Sequence, residues 1–380
     1  MPYRCKLAIL NNIVPPYRLP IYIKLGKVFR TSVLISGKED NSLKWKGMEQ
    51  SLIQNGISVK IARGMTFRFK NSTKEGKTFE KRNLHINPGY LFDLIREKPD
   101  VVISTEMGFR TAMALLYGRL FHKPVWVWWG GTLHTERKRV IIKRWFRWGI
   151  IQFARHWISY GNTSTEYLMN VGVKRDRILQ IQNCVDENLY AKPVEPAYKH
   201  QPKPVFLLAG QFIFRKGIDL FLKAAARLQK EGYRFSILLV GDGPEKGSMQ
   251  QLASDLELES ILFIPPQPPE LMSAAYRSAD VFVFPTLEDV WGLVINESLW
   301  SGVPVLSSIY AGCTPEIVPP ENHFDPLDPQ DFDRALKLVF DNKLKPADTT
   351  PLLTSDKVAS MIIRDIQQNI GIEDENSALL

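Results

Sequence analysis

The chain has 380 residues, more than the roughly 250–300 at which one core stops growing, so two domains are expected. With 44% hydrophobic and 23% charged residues it is neither disordered nor fibrous. Three dispersed cysteines (Cys5, Cys184, Cys313) exclude a disulfide framework and a four-cysteine zinc site, and imply a reducing compartment. The net charge of +9 divides into +18 over residues 1–190 and −9 over the rest, which turns the first half toward an anionic partner. Nucleic acid, anionic lipid and a phosphorylated small molecule all fit that description. The start, MPYRCKLAILNN, has one short apolar run and is no signal peptide, and no run of about 18 apolar residues predicts a membrane span.

In chain order, short apolar runs read as strands at residues 6–10, 32–35, 101–103, 125–129 and 157–160. Three loops following strands, 11–18, 104–110 and 130–137, carry the polar side chains Asn12, Tyr17, Arg18, Glu106 and His134. Residues 137–157 read as one helix, roughly 31 Å long at the helical rise. Arg137, Lys143, Arg144, Arg147 and Arg155 fall on one side of it, with Ile142, Trp145, Phe146, Gly149, Phe153 and Trp157 opposite. A basic face beside tryptophans suits an anionic membrane surface; a core helix with a solvated basic face is the competing reading.

Residues 191–204, with four prolines and little periodicity, read as a linker. Strands resume at 205–208, 235–240, 261–264, 281–284 and 303–306, and in 218–231 Leu220, Phe221, Ala224, Ala225 and Leu228 share a helical face. Alternating strands and helices predict an α/β protein of two Rossmann-like parallel-sheet domains facing across a cleft, with ligand at the carboxyl ends of the strands. The tail from Glu373 is polar and expected to fray.

Two stretches of the second half carry chemistry. After the strand at 205–208 comes Gly210-Gln211-Phe212-Ile213-Phe214-Arg215-Lys216-Gly217, a glycine and two cations ahead of a helix, which suits a phosphate. After the strand at 281–284 comes Pro285-Thr286-Leu287-Glu288-Asp289-Val290-Trp291-Gly292-Leu293, with Glu297 about two turns into the helix expected to start near Gly292. The amides of residues 291–293 would be that helix's uncapped donors, a second anion site. Glu297 among Leu293, Val294, Ile295 and Leu299 needs a partner, because buried charge is costly.

On these residues, the segment 203–320 resembles the nucleotide-sugar domain of family-4 glycosyltransferases, which have the GT-B fold. Asp289 takes the place of the family's first glutamate and Glu297, after seven intervening residues, that of the second. Gly210 to Gly217 falls on the family's Gly-Arg-x-x-x-x-Lys-Gly, with Gln211 at the arginine and Lys216 at the lysine. Asn183-Cys184-Val185-Asp186 resembles the Asn-Gly-Val-Asp that closes the first domain. The wording from Glu288 to Leu293 is similar to members that build bacterial surface polysaccharides.

The resemblance implies an acceptor-binding domain over 1–190, the linker 191–204, a nucleotide-sugar domain over 205–352, and a helix with tail over 353–380 packing back on the first domain. It implies transfer of a sugar from a UDP- or GDP-sugar to an acceptor hydroxyl with retention of configuration, without a cofactor and without a metal. Lys216 and Arg215 would stabilise the departing diphosphate, Asp289 would hold sugar hydroxyls, Glu297 the ribose, and Gln267 would lie near the base. Gly210, Gln211, Val290, Trp291, Gly292 and Leu293 would complete the donor site. His134 is nearest to a crevice histidine of the family. Asn12, Tyr17, Arg18 and Glu106 are acceptor candidates. The expected acceptor is a lipid-linked saccharide, and the expected location the cytoplasm at the inner membrane face. A nucleotide-sugar epimerase or sugar phosphorylase on the same fold, or a nucleic-acid module using the basic half, are the alternatives; the last lacks a recognised module.

Overall fold

A computed structural model of the chain describes residues 5–37, 47–137 and 141–371. The polar tail expected from Glu373 lies outside them, as do residues 138–140 of the expected basic helix. Apolar runs such as Val125–Trp129, buried at every position, form strands of parallel sheets, because helices cover such strands on both faces. The strands are β1 Lys6–Asn11, β2 Arg30–Ile35, β3 Ser58–Ile61, β4 Met65–Ser72, β5 Thr78–Ile86, β6 Val101–Thr105, β7 Val125–Trp129, β8 His156–Tyr160 and β9 Ile178–Ile181. They continue with β10 Val205–Gln211, β11 Ser236–Asp242, β12 Ile261–Ile264, β13 Val281–Phe284, β14 Val305–Ser308 and β15 His323–Phe324.

The chain forms two compact units. Met1–Arg68, Asn83–Cys184 and Leu353–Leu380 make the first; Phe69–Arg82 and Val185–Leu352 make the second. The first unit holds a seven-stranded sheet in the order β3-β2-β1-β6-β7-β8-β9, the second a six-stranded sheet in the order β12-β11-β10-β13-β14-β15, all pairs parallel. Both are Rossmann-like. In each, the sheet's first strand, β1 or β10, sits where the strand order reverses, the place at which such sheets bind ligands beyond their carboxyl ends.

Two features, the segment 191–204 and five strands, differ from the sequence reading. The segment 191–204 is tied to the second unit, Ala197 N donating to Ala274 O and Tyr198 N to Ser278 Oγ. The helix Ser355–Ile370 belongs to the first unit, where it packs on the helix Leu19–Val28. Strands β3, β4, β5, β9 and β15 were not expected. The first two are largely solvent-facing and the last has two residues, so none is a long buried run. Among the described residues no helix is long and apolar enough to cross a membrane.

Candidate functional site

In the second unit, β10 ends in a short turn, Phe214–Lys216, followed by Gly217 at φ +65° ahead of the helix Ile218–Lys230. A Cβ on Gly217 would lie 2.0 Å from Pro285 O, so only glycine lets this turn rest against the chain leaving β13. The two loops are then stitched together: Leu287 N and Thr286 Oγ1 both donate to Arg215 O, at 2.8 and 3.1 Å. Arg215 Nη1 donates to Glu288 O at 2.7 Å.

The stitching brings Lys216 Nζ to 2.6 Å from Asp289 Oδ2 and Arg215 Nη1 to 3.6 Å from the same oxygen. Lys216 also lies over the Phe284 ring. Asp289 Oδ1 accepts from Trp291 N at 3.2 Å. Burial alone would raise the Asp289 carboxyl, but Lys216 and then Arg215 outweigh it and hold it below the usual carboxylate value. Asp289, Lys216 and Arg215 therefore form one cluster; Gln211 is exposed at the end of β10. Arg215 Nε is buried with no acceptor, so the cluster keeps unused donor capacity.

The helix after this loop runs Leu293–Trp300 with Gly292 as its left-handed N-cap. Glu297 is thus little more than one turn in, not two. Of the three amides expected to be open, that of Trp291 is already taken by Asp289. The Trp291 side chain is a core element, 1% exposed, its Nε1 donating to the buried Asn296. Glu297 Oε2 accepts from Tyr276 Oη at 2.9 Å, and the buried Tyr190 phenol also acts on the carboxylate. Burial raises the Glu297 carboxyl to about 7 although both phenols pull it down. Gln267 Nε2 donates locally to Pro265 O, and no bond joins it to the Asp289 cluster among the described residues.

The metal-free expectation assumes that the sequence has no Asp-x-Asp pair, but it holds one, Asp331-Phe332-Asp333. Asp331 pairs with Arg334 and accepts from Asp325 N, while Asp333 pairs with Arg227, so both serve the helix Pro329–Phe340. Among the described residues no group of three His, Cys, Asp or Glu is placed to hold a metal.

In the first unit, Arg110 is the residue that joins the expected candidates. It bonds Asn12 Oδ1, Thr105 O at 2.7 Å and Glu106 Oε2 at 3.0 Å. Glu106 has a left-handed backbone, φ +64°, a strain that persists only when the surroundings hold it. Arg18 stacks on Trp128, with Tyr17 and Tyr160 beside it. His134 lies in the turn after β7, which Thr132 and Thr135 lock by mutual bonds.

The helix expected over 137–157 is shorter and turned the other way. It spans Ile141–Phe153; Arg155 lies past its end and Trp157 is buried in β8. Arg147, expected on the solvated face, is 5% exposed, pairs with Glu136 and lies over the Trp129 ring. Ile141, Trp145, Phe146, Trp148 and Phe153 face outward, at 42–69% exposure. The Ile142 side chain lies outside the described residues. Spacing placed the charges correctly around the axis; what it missed was Glu136, which draws Arg147 inward.

Residues 195–351 match the family model of group 1 glycosyl transferases. That segment is a group 1 glycosyltransferase domain. The chain is 32% identical over 37% of its length to a D-inositol 3-phosphate glycosyltransferase of Nocardia farcinica, covering 34% of that protein. It is 26% identical over 55% of its length to the putative glycosyltransferase EpsF of Bacillus subtilis, covering 58% of it. The chain thus spans between a third and somewhat over half of these curated relatives. Among solved structures it resembles Anabaena HepE, crystallised with UDP and glucose, at TM-score 0.68 and 16% identity, covering 97% of this chain and 99% of that one. It resembles sucrose-phosphate synthase of Thermosynechococcus elongatus at TM-score 0.74 and 15% identity, covering 97% and 100%. The fold is that of GT-B glycosyltransferases. Within the glycosyltransferase domain, the residues that sequence reasoning missed are Tyr190 and Tyr276, which carry no motif and reach Glu297 only through the fold.

Proposed function

We propose that the chain is a retaining, family-4-type glycosyltransferase that moves a sugar from a nucleoside-diphosphate sugar to an acceptor hydroxyl. The carrying observation is the cluster of Lys216, Arg215 and Asp289 at the strand-order reversal of the group 1 domain. A diphosphate leaving group needs fixed cations where its charge develops, and Lys216 and Arg215 are held in place for that by the stitched loops. Asp289 then meets the sugar hydroxyls and Glu297 the ribose. No carboxylate is assigned as a nucleophile, so departure and attack on one face of the sugar fit better than double displacement. The cations take the charge that a divalent ion would otherwise take, and no cofactor takes part.

UDP is the proposed nucleotide, from the likeness to a structure crystallised with UDP and glucose. In a thermal-shift panel, UDP-sugars should raise the melting temperature more than GDP-sugars or adenine nucleotides, because a ligand that binds only the folded state stabilises by mass action. The shift and donor hydrolysis should both survive EDTA. No shift with any nucleotide sugar overturns the reading, and activity that returns only with added manganese overturns the metal-free part of it.

The acceptor is proposed to be a saccharide, lipid-linked and used in polysaccharide synthesis, met at the cytoplasmic face of a membrane. The support is the outward apolar face of Ile141–Phe153, where Trp145 and Trp148 are exposed beside Lys143 and Arg144 in a strongly basic half. Tryptophans beside cations suit an anionic interface, each cation near it adding about 1 kcal/mol. The protein should sediment with acidic-lipid vesicles and be released by salt. Trp145→Ser with Trp148→Ser should abolish sedimentation while leaving UDP binding unchanged; equal recovery with neutral vesicles would remove the membrane from the proposal.

A further inference from the structure

Arg18 is the least accounted-for charge of the first unit. It is 5% exposed, in the turn Pro16–Arg18 beyond the carboxyl end of β1. Its guanidinium centre lies 4.3 Å from the Trp128 ring centre and 5.6 Å from that of Tyr160. Tyr160 is fixed in turn: a Cβ on Gly130 would lie 2.2 Å from its ring, so the ring fills the space that the glycine leaves. The aromatic rings give the cation a dry, flat seat, and the neutral Tyr22 and Tyr17 hydroxyls, rather than a carboxylate ion pair, favour its charge.

Two buried donors of this stack have no partner, Arg18 Nε and Trp128 Nε1. No carboxylate forms an ion pair with Arg18 among the described residues. The one acid that contributes to its charge balance, Glu106, is 64% exposed and already bonded to Arg110. A buried cation without an anion is costly, and such a group is kept where a ligand completes it. Arg is also the side chain suited to planar bidentate recognition of carboxylate or phosphate.

We propose that Arg18, seated on Trp128, is an anion subsite of the first unit that takes a carboxylate or phosphate group carried by the non-nucleotide substrate. The proposal rests on the glycosyltransferase reading for there being such a substrate, and it narrows that substrate to an acidic or phosphorylated sugar. Asn12, Glu106 and Arg110, bonded to one another beside it, are left for neutral hydroxyls. Stacking holds the guanidinium plane without consuming its donors, so the subsite is preorganised before the ligand arrives.

The test uses the full chain saturated with UDP, so that Lys216 and Arg215 are occupied. Glucuronate, glucose 6-phosphate, glucose and inorganic phosphate are titrated by ligand-observed NMR. At least one charged sugar should bind about tenfold or more tighter than glucose, the scale of a hydrogen bond to a charged group, and Arg18→Gln should remove that preference. Arg18→Lys should keep part of it, with a single donor direction in place of the fork. Glucuronate alone binding identifies a carboxylate ligand; glucose 6-phosphate and inorganic phosphate binding identify a phosphate. Charged and neutral sugars binding alike to the wild type overturn the subsite, as does a folded Arg18→Gln variant that keeps the preference. Should that variant fail to fold, the wild-type charge preference and its reduction in Arg18→Lys decide the matter. Failure of UDP itself to bind would count against the transferase reading instead.

Discussion

Lys216→Ala is expected to slow sugar transfer by roughly 10²–10³-fold, the usual cost of removing one fixed donor from a developing anion. Lys216 makes the short 2.6 Å contact of the cluster, whereas Arg215 is 3.6 Å away and partly committed to Glu288 O. The loss has a second component. Without Lys216 the Asp289 carboxylate keeps a single, more distant cation, and its negative charge then opposes the incoming diphosphate. Nucleotide affinity should therefore fall together with the rate. Lys216→Arg should recover part of both, and steady-state rates with direct UDP titrations on the variants measure it. A rate unchanged in Lys216→Ala would transfer the diphosphate to Arg215.

Glu297→Gln is expected to lose roughly tenfold to a hundredfold of transfer, the range for hydrogen bonds to a charged group, while the protein becomes more stable at neutral and alkaline pH. The structure favours glutamine over alanine for this test. Tyr276 bonds the carboxylate, and alanine would leave that buried phenol without an acceptor, so its effect would mix folding with function. The pH argument follows from the direction of the shift. Burial raises the folded-state value of Glu297 from 4.5 to about 7, so the folded protein binds its proton more tightly than the unfolded chain does. That contribution is complete below about 4.5 and is lost as pH rises to about 7. Melting temperatures should decline over this window in the wild type and decline less in Glu297→Gln. Parallel profiles would mean that the carboxylate is solvated in the folded protein.

Apart from the half-exposed edge strand β12, the strands that sequence reading located are mostly buried parallel ones, since a strand covered on both faces must be apolar throughout. Residues 101–103, 125–129 and 281–284 announce themselves in this way, and each lies within its strand. Exposed β4, reading MTFRFKNS, and two-residue β15 leave no such run. The residues of the Lys216, Arg215 and Asp289 cluster were singled out because glycine, lysine and acid sit at fixed spacings in two loops following strands. Their pairing was not legible, because Lys216 and Asp289 are 73 positions apart and only the closed loops bring them together. The basic helix shows the opposite failure. Angular position around an axis is local, but whether an arginine faces water depends on what stands opposite, and Glu136 precedes that helix.

The helix Ser355–Ile370 has a consequence for how the chain can be divided. Its Asp356 and Ser360 bond Lys24, and its Asp365 accepts from Trp126 Nε1 at 2.7 Å, so the first sheet's cover is completed by the most C-terminal helix described. Topologically both units are discontinuous: Val185–Leu352 and Phe69–Arg82, which make the second, are each flanked on both sides by segments of the first. An excised segment ending near Cys184 would lack that cover, with the Leu19–Val28 helix stripped of its neighbour and the Trp126 indole of its acceptor. Cutting the protein at the prolines therefore leaves both pieces incomplete, the first without residues 353–371 and the second without Phe69–Arg82. A stable first half requires residues 353–371 to be rejoined to it, by a short linker or by circular permutation.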